Sequence, residues 1–282
     1  MLNTYRLVEL EIHGHCNRKC AWCPNIELQR TRMTRMPEEV YLKILKELKE
    51  GGFKGAISFS RYNEPMADSK LFKKRVEQAK AILPGVKLVS NTNGDFFSSR
   101  NIDGLCLDEL SIMDYDCIGL KACRDRLRQA DADIEKIEYP YIIARYKGIG
   151  ILYYIDWPLN AALVDRGGFF KSDIEISGQK LNWADNKSLR TRPCLEPLCF
   201  IGIDYNGDVV PCCQIRGDNP EHKAFILGNV TRNKLIDICT GEIAEYFKTI
   251  PAGSDFSKYP EPCKYCRKSP GRYTRENPGI SF

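Results

Sequence analysis

No run of apolar residues in these 282 positions reaches the ~18 that a membrane span needs. The N-terminus, Met1 to Glu11, lacks the apolar core of a secretion signal, so a cytoplasmic protein is expected. Histidine is scarce. The three present, His13, His15 and His222, match no ligand spacing, and each is expected to be structural. Excess charge of one sign is small: the net charge is +5 and the pI about 8.5. That falls short of the pI above ~9 that marks a nucleic-acid footprint, so no nucleic-acid partner is expected. Arg30, Arg32 and Arg35 cluster, as do Arg124, Arg126 and Arg128, and both groups read as solvated faces. There is no internal repeat and no low-complexity tract. Hydrophobic residues at 43% and charged residues at 28% give the balance of an ordinary folded protein.

Cysteine is what the sequence has in abundance, with thirteen. In a reducing compartment disulfides are rare, and such thiols bind metals or do chemistry. The first half alternates strand and helix patterns. Strands are expected over Tyr5 to His13, Ala56 to Ser60, Lys87 to Ser90, Glu109 to Met113, Ile142 to Tyr146 and Gly150 to Ile155. Pro37 opens a helix with an apolar stripe of Val40, Ile44, Leu45 and Leu48 and a stop at Gly51, and Leu71 to Leu83 forms a second. Such alternation implies parallel β/α units. After about Lys180 the pattern changes. Ile201 to Pro211 reads as a hairpin turning at Asn206-Gly207, and helix periodicity returns only near Leu235 to Phe247. A boundary is placed near Leu181 to Arg190, giving domains 1–185 and 186–282.

Directly after the first strand comes Cys16-Asn17-Arg18-Lys19-Cys20-Ala21-Trp22-Cys23, spaced C-x3-C-x2-C. Three thiolates can hold three irons of a four-iron cluster, where ordinary clusters use four cysteines. The fourth iron is then open to a ligand. S-adenosylmethionine (SAM) can chelate it through its amino and carboxylate groups, and an electron from the cluster then cleaves the sulfonium to a 5′-deoxyadenosyl radical. Zinc is the competing reading, but zinc sites usually pair two C-x2-C clips and this segment holds one.

The segment, with aromatic Trp22 before its last cysteine, resembles the signature of the radical SAM superfamily, whose fold is a partial (β/α)6 barrel. The resemblance implies an α/β chain with that TIM-like barrel and a site at the C-terminal ends of its strands. Arg61-Tyr62-Asn63-Glu64-Pro65 ends the second strand and resembles the family's Gly-Gly-Glu-Pro motif, which binds the SAM amino group. Tyr62 and Asn63 stand where the two glycines would be. Asn91-Thr92-Asn93-Gly94-Asp95 ends the third strand, and the fourth ends near Asp114. Trp22, Tyr62, Asn63, Glu64, Asn93 and Asp114 are therefore the expected SAM contacts.

A second group of cysteines, Cys194, Cys199, Cys212 and Cys213, flanks the hairpin, and Cys263-Lys264-Tyr265-Cys266 adds a C-x2-C clip. By spacing alone these suit either zinc or a complete cluster. Gly207 to Cys213, Gly228-Asn229-Val230 and the clip resemble the SPASM and twitch auxiliary domains of radical SAM enzymes. No cysteine follows Cys266, so the resemblance favours the small twitch form with one four-iron cluster. It implies Cys194, Cys212, Cys263 and Cys266 as ligands, beside Cys16, Cys20 and Cys23 for the first. Cys106, Cys117, Cys123 and Cys239 read as small buried hydrophobes.

Pro24-Asn25 after the first motif, Tyr62, Thr92 to Asp95, Arg166-Gly167-Gly168 and the Cys194–Cys212 separation further resemble cyclitol dehydrogenases of this superfamily. That likeness nominates Arg166 and Tyr62 for the substrate pocket. It departs at Asn91, where those enzymes have a tyrosine, and at Cys213, where they have an aromatic residue, followed here by Gln214. Tyr62, Asn91, Arg166 and Gln214 are thus the expected substrate contacts, with Arg166 and Cys213 catalytic. The expected reaction removes a hydrogen atom from a hydroxyl-bearing carbon of a sugar, aminosugar, nucleotide sugar or cyclitol. It ends in a ketone, or in inversion if a thiol returns the hydrogen. A peptide-modifying SPASM-type enzyme is the alternative. A flavodoxin or ferredoxin is the expected reductant.

Overall fold

Pro37 fixes the entry to the first helix, α1 (Glu38–Glu50), through its restricted φ of −54°. Glu38 and Glu39 in the first turn and Lys49 in the last oppose the helix dipole favourably. Tyr41, Ile44, Leu45 and Leu48 form its buried stripe, and Gly51 ends it. Burying each such aliphatic side chain contributes about 1.5–3 kcal/mol. The computed structural model describes residues 2–160, 166–169, 175–176, 179–180, 188–249, 255–261 and 263–266.

The strands in chain order are β1 (Leu7–Leu10), β2 (Ala56–Ser58), β3 (Lys87–Thr92), β4 (Glu109–Met113), β5 (Asp133–Glu138), β6 (Tyr141–Tyr146), β7 (Ile149–Tyr154), β8 (Glu175–Ile176), β9 (Gln179–Lys180), β10 (Phe200–Ile203), β11 (Asp208–Val210) and β12 (Gly228–Asn229). The further helices are α2 (Ser69–Ile82), α3 (Ser99–Ile102), α4 (Gly119–Gln129), α5 (Trp157–Asn160), α6 (Glu196–Cys199), α7 (Leu235–Thr240) and α8 (Glu242–Thr249). Ten strands make one sheet, ordered β12-β11-β10-β1-β2-β3-β4-β7-β6-β5. Its centre, β10-β1-β2-β3-β4-β7, is parallel throughout. The α/β partial barrel expected from the sequence is thus present.

Two features differ from the expectation of uniform β/α units. β5, β6 and β7 form an antiparallel meander at one edge, so only β7 continues the parallel series. The sheet also runs on past residue 185: β10 pairs in parallel with β1, Leu7 opposite Phe200 and Leu10 opposite Ile203. The expected helix over Leu235 to Phe247 is two short helices, α7 and α8, separated at Gly241, whose φ of −72° and ψ of 165° are extended.

Side chains alternate between the two faces of each strand. Val8, Leu10, Ile57, Leu88, Leu110 and Ile112 belong to the large core shared with the helices. Leu7, Ala56, Val89 and Phe200 form a separate, smaller cluster on the opposite face. By the same alternation Glu9, Ser58, Asn91 and Ser111 join that inner face. It is apolar toward the start of the strands and polar toward their ends.

Candidate active site

The loop between β1 and α1 carries Cys16, Cys20 and Cys23. It is pinned at both ends of its course. Met36 N–H donates to the Ile12 carbonyl at 2.9 Å, Gly14 N–H to Thr34 O at 2.9 Å and Cys16 N–H to Arg30 O at 3.2 Å. The three thiols are half-buried, and none is in a disulfide. Burial pushes Cys16 up to about 11, with Glu64 and Cys23 adding to the effect. Burial likewise pushes Cys20 up to about 12, helped by Cys23 and Cys16. Thiols crowded this way resist ionising on their own, and a cationic iron–sulfur core is the partner that makes thiolates favourable. The second set behaves alike. Burial holds Cys212 well above the ordinary thiol range, and Cys213, Cys263, Cys194 and Cys266 raise it further. The donor sets therefore fit clusters. Among the described residues no three His, Cys, Asp or Glu side chains are arranged for a single metal ion. One ion needs all ligands at one centre, whereas cluster thiolates sit on separate irons.

Glu64, at the rim of β2, is buried and receives hydrogen bonds from Thr92 Oγ1 (2.8 Å), Asn93 N–H (2.8 Å) and Met66 N–H (3.1 Å). Burial outweighs those bonds and lifts its carboxyl to about 7. Asn93 Nδ2 donates to Asn17 Oδ1 at 2.9 Å, and Arg18 pairs with Asp95 and Asp116, so the β3 rim is tied to the cysteine loop. Trp22 is buried against Tyr115 and Trp157, with ring centroids 5.3 and 6.0 Å away. Neither partner was expected from the sequence. Their signal is position alone, an aromatic residue just beyond the ends of β4 and β7.

Two expected SAM contacts have other duties. The Asp114 carboxylate accepts from Ile118 N–H (3.1 Å), Gly119 N–H (3.4 Å) and Asp156 N–H (3.2 Å), and from the Cys123 thiol. It staples the turn into α4 to the end of β7. Asn63 folds its own turn, accepting from Arg61 N–H at 3.0 Å and donating to Phe59 O at 3.3 Å.

Tyr62 is buried, with Arg216, Arg61 and Arg30 5.2, 5.6 and 5.7 Å from its ring centroid. Its hydroxyl donates to the Cys213 carbonyl at 3.0 Å. Arg166 lies in the same electrostatic neighbourhood as Tyr62, Cys213, Cys23 and Tyr115. Its φ of 53° is left-handed, which costs a side-chain-bearing residue about 1–2 kcal/mol. Cys212 packs with Val210, Phe225, Tyr259 and Cys263, while Cys213 packs with Leu7, Ala56, Val89 and Phe200 on the inner barrel face. Gln214 Nε2 donates to Cys213 Sγ at 3.3 Å. Of the expected substrate contacts, Asn91 Oδ1 and Gln214 Oε1 are buried acceptors with no hydrogen-bond partner among the described residues. A buried polar atom left unpaired is costly, so such atoms commonly await a ligand.

A network of buried charge that the sequence reading missed holds these parts together. Arg30, read as a solvated loop residue, is 6% exposed; its Nη1 donates to both Glu11 oxygens at 2.6 Å, and its Nε to Asp218 at 2.9 Å. Arg216 donates to Asn25 Oδ1 at 2.7 Å, Leu28 O at 2.5 Å and Asp218. Arg61 pairs with Glu9 at 3.1 Å and Asp204 at 2.9 Å. Gly202 makes room for this, since any Cβ there would strike the Arg61 guanidinium. Breaking one partner of such a pair costs about 3–5 kcal/mol. Two acidic residues two positions apart, Glu9 in β1 and Glu11 just beyond its end, were the legible sign. Cys123 and Cys239 are buried as expected, but Cys106 is exposed and Cys117 half-buried.

Comparison with known proteins adds three findings. The SPASM iron–sulfur cluster-binding domain matches residues 194–267. The S-adenosyl-L-methionine-dependent 2-deoxy-scyllo-inosamine dehydrogenase of Niallia circulans is 24% identical over 241 residues, covering 83% of this chain and 82% of that one. The crystal structure of BtrN in complex with AdoMet and 2-DOIA superposes with a TM-score of 0.68 at 20% identity, over 95% of this chain and 97% of that one. BtrN in an open conformation gives 0.60 at 18% identity, over 94% and 92%. No helix among the described residues is long and apolar enough to cross a membrane.

Proposed function

We propose that this chain, a radical SAM protein with a SPASM/twitch auxiliary domain, takes a hydrogen atom from a hydroxyl-bearing carbon of a cyclitol or related sugar. Dehydrogenation or epimerisation is the outcome. The observation that carries the reading is the polar end of the inner barrel face. Asn91 Oδ1 is buried there without a partner among the described residues; Gln214 Oε1, likewise buried and unpartnered, belongs to the segment whose Cys213 packs on the same face, and Arg166, Tyr62 and Cys213 are electrostatic neighbours. A polyol supplies the hydroxyl hydrogens such acceptors need. The likeness along most of the chain to an inosamine dehydrogenase favours this class over a peptide substrate.

Cys16, Cys20 and Cys23 hold the first four-iron cluster and Cys194, Cys212, Cys263 and Cys266 the second. When bound, the first supplies the electron that cleaves SAM and the second an electron acceptor or donor for the substrate. The residues of the chain do the positioning. Glu64 receives the SAM ammonium, Trp22 with Tyr115 and Trp157 offers an apolar wall for the adenine, and Arg166 orients a substrate hydroxyl. Residues up to about 185 serve SAM cleavage, and those beyond serve the auxiliary cluster. Crowded reduced thiols suit the cytoplasm, with a flavodoxin or ferredoxin as reductant.

The deciding experiment incubates anaerobically reconstituted protein with SAM, a reductant and 2-deoxy-scyllo-inosamine or related cyclitols. We expect 5′-deoxyadenosine together with a ketone or an epimer. SAM cleavage that no cyclitol or sugar stimulates would sink the proposal. In the same assay Arg166→Lys should cut turnover by about tenfold or more with both clusters intact, because an ammonium lacks the rigid fork of a guanidinium. Unchanged kinetics would return Arg166 to a loop role.

Glu64 makes SAM binding pH-dependent. Its carboxyl titrates near 7, raised by burial, and a bound ammonium favours the ionised form. Below about pH 7 the proton must leave before SAM binds, so affinity falls by up to about tenfold per pH unit. Above it the dependence flattens. The effect on stability has the opposite sense: this group's contribution is full below 4.5 and is lost as pH rises through about 7. Calorimetric SAM affinity measured from about pH 5.5 to about pH 8.5 checks this, and a flat profile would contradict it.

A further inference from the structure

We propose that His222 is a positioning residue for the reaction: it locks the loop that presents Arg166. The inference rests on the reading of Arg166 as a substrate contact. Arg166, Gly167 and Gly168 are three consecutive left-handed residues, with φ of 53°, 72° and 84°. Glycine adopts that backbone readily, but arginine does not. A side chain on such a loop reaches a fixed point only if neighbouring structure holds the backbone.

His222 supplies that hold. Its ring is 1% exposed, and both ring nitrogens are engaged. Arg216 N–H meets Nδ1 at 3.1 Å, and Nε2 lies 3.0 Å from the Gly167 carbonyl. The tautomer follows without choice. A backbone amide only donates, so Nδ1 is the unprotonated nitrogen and the hydrogen sits on Nε2. Nε2–H therefore donates to Gly167 O. A neutral imidazole in this one form bridges the segment after Cys213 to the loop carrying Arg166. The residue is itself fixed, with the His222 backbone N–H donating to Asn219 O at 2.9 Å and the Phe225 ring edge-on to the imidazole at a centroid distance of 6.3 Å.

The fit on the loop side is equally tight. A Cβ on Gly167 would lie 3.0 Å from both the Gln214 carbonyl and His222 Nε2. The loop is thus wedged between the imidazole and the backbone that bears Cys213 and Gln214. The segment that brings Cys212 to the auxiliary cluster also sets where Arg166 stands. A histidine serving the local turn alone would have no reason to reach a carbonyl 55 residues away in sequence.

Two variants separate the roles of the two nitrogens. His222→Gln keeps a donor near the Nε2 position, and His222→Asn keeps an acceptor near Nδ1 but withdraws the donor from Gly167. With 2-deoxy-scyllo-inosamine as the probe, we expect His222→Asn to raise KM about tenfold and to form more 5′-deoxyadenosine per product. Iron content and SAM affinity should stay at wild-type levels, and His222→Gln should recover most of the loss. Gly167→Ala keeps the histidine but crowds its ring and disfavours the left-handed backbone, so it should give the same KM defect even if the His222 variants fold poorly. Arg166→Ala should match His222→Asn, and the double variant should be no worse than Arg166→Ala. Wild-type KM in His222→Asn or in Gly167→Ala, or additive losses in the double variant, would overturn the positioning role. Arg166→Ala with unchanged kinetics would instead remove the substrate reading of Arg166, and this inference with it.

Discussion

Replacing Cys16, Cys20 and Cys23 together with alanine is expected to abolish SAM cleavage and to halve the iron, from about eight atoms to about four. Apart from the bonds that the Arg18 amide and Asn25 make to the Cys16 sulfur, the loop that carries these thiols is held independently of the three side chains. Gly14, Cys16 and Met36 fix it through backbone amides, and Arg30 clamps it to Glu11 from within the core. The loop should therefore keep its course in the variant, and Cys212 and Cys263 of the second set lie in a separate packed group with Val210, Phe225 and Tyr259. Iron retained there would show that the two sites load independently. Iron and sulfide assays with spectroscopy of the reduced protein measure this. Retention of all the iron, or SAM cleavage above background, would remove the assignment of the first cluster to these three residues.

The parts of this site that were legible in the sequence are those carried by local spacing. The C-x3-C-x2-C run, the Glu64-Pro65 rim and the Asn206-Gly207 hairpin are short, contiguous patterns. Each needs only its own backbone to form. The parallel strands were legible for the same reason, since Glu109 to Met113 was expected and found with the same bounds. β5 was missed because its two apolar residues, Ile134 and Ile137, are three apart rather than at alternate positions: Asp133 to Glu138 is a largely exposed edge held by pairing with β6. Arg30 was misread because charge clusters in a loop usually face water, and its partners Glu11 and Asp218 lie 19 and 188 residues away. Likewise Tyr115 and Trp157 meet Trp22 only once β4 and β7 lie side by side. Asp114 sat at the right rim, but the amides of Ile118, Gly119 and Asp156 take up its carboxylate. What sequence could not supply was pairing across distance, and the buried charge network is made almost wholly of such pairs.

Cys213→Ala is expected to leave 5′-deoxyadenosine formation intact while eliminating an epimerised product. Cys212 and Cys213 sit on a bend and turn just beyond β11, and their side chains enter two different packed groups. Cys212 packs beside Cys263, and Cys213 packs against Leu7, Ala56, Val89 and Phe200 on the inner barrel face. Gln214 Nε2 donates to the Cys213 sulfur at 3.3 Å and fixes where it stands. Tyr62, the other hydrogen-bearing group nearby, is committed: its hydroxyl donates to the Cys213 carbonyl, and three guanidinium groups surround its ring. Cationic neighbours disfavour removing an electron from that ring, which leaves the thiol as the better donor. In the step itself a C–H bond of the substrate would break first, its hydrogen atom passing to the 5′-deoxyadenosyl radical to give 5′-deoxyadenosine and a carbon radical. The S–H bond of Cys213 then breaks, and its hydrogen forms a new C–H bond on the opposite face. One electron from the reductant and one proton from water restore the thiol. Run in heavy water, the wild-type protein should place deuterium on the inverted carbon, because the thiol hydrogen exchanges with solvent. An epimer carrying no solvent deuterium, or epimer still formed by Cys213→Ala, would rule out the thiol. A ketone as the sole product would assign the chain to dehydrogenation and leave Cys213 as a packed neighbour of the substrate.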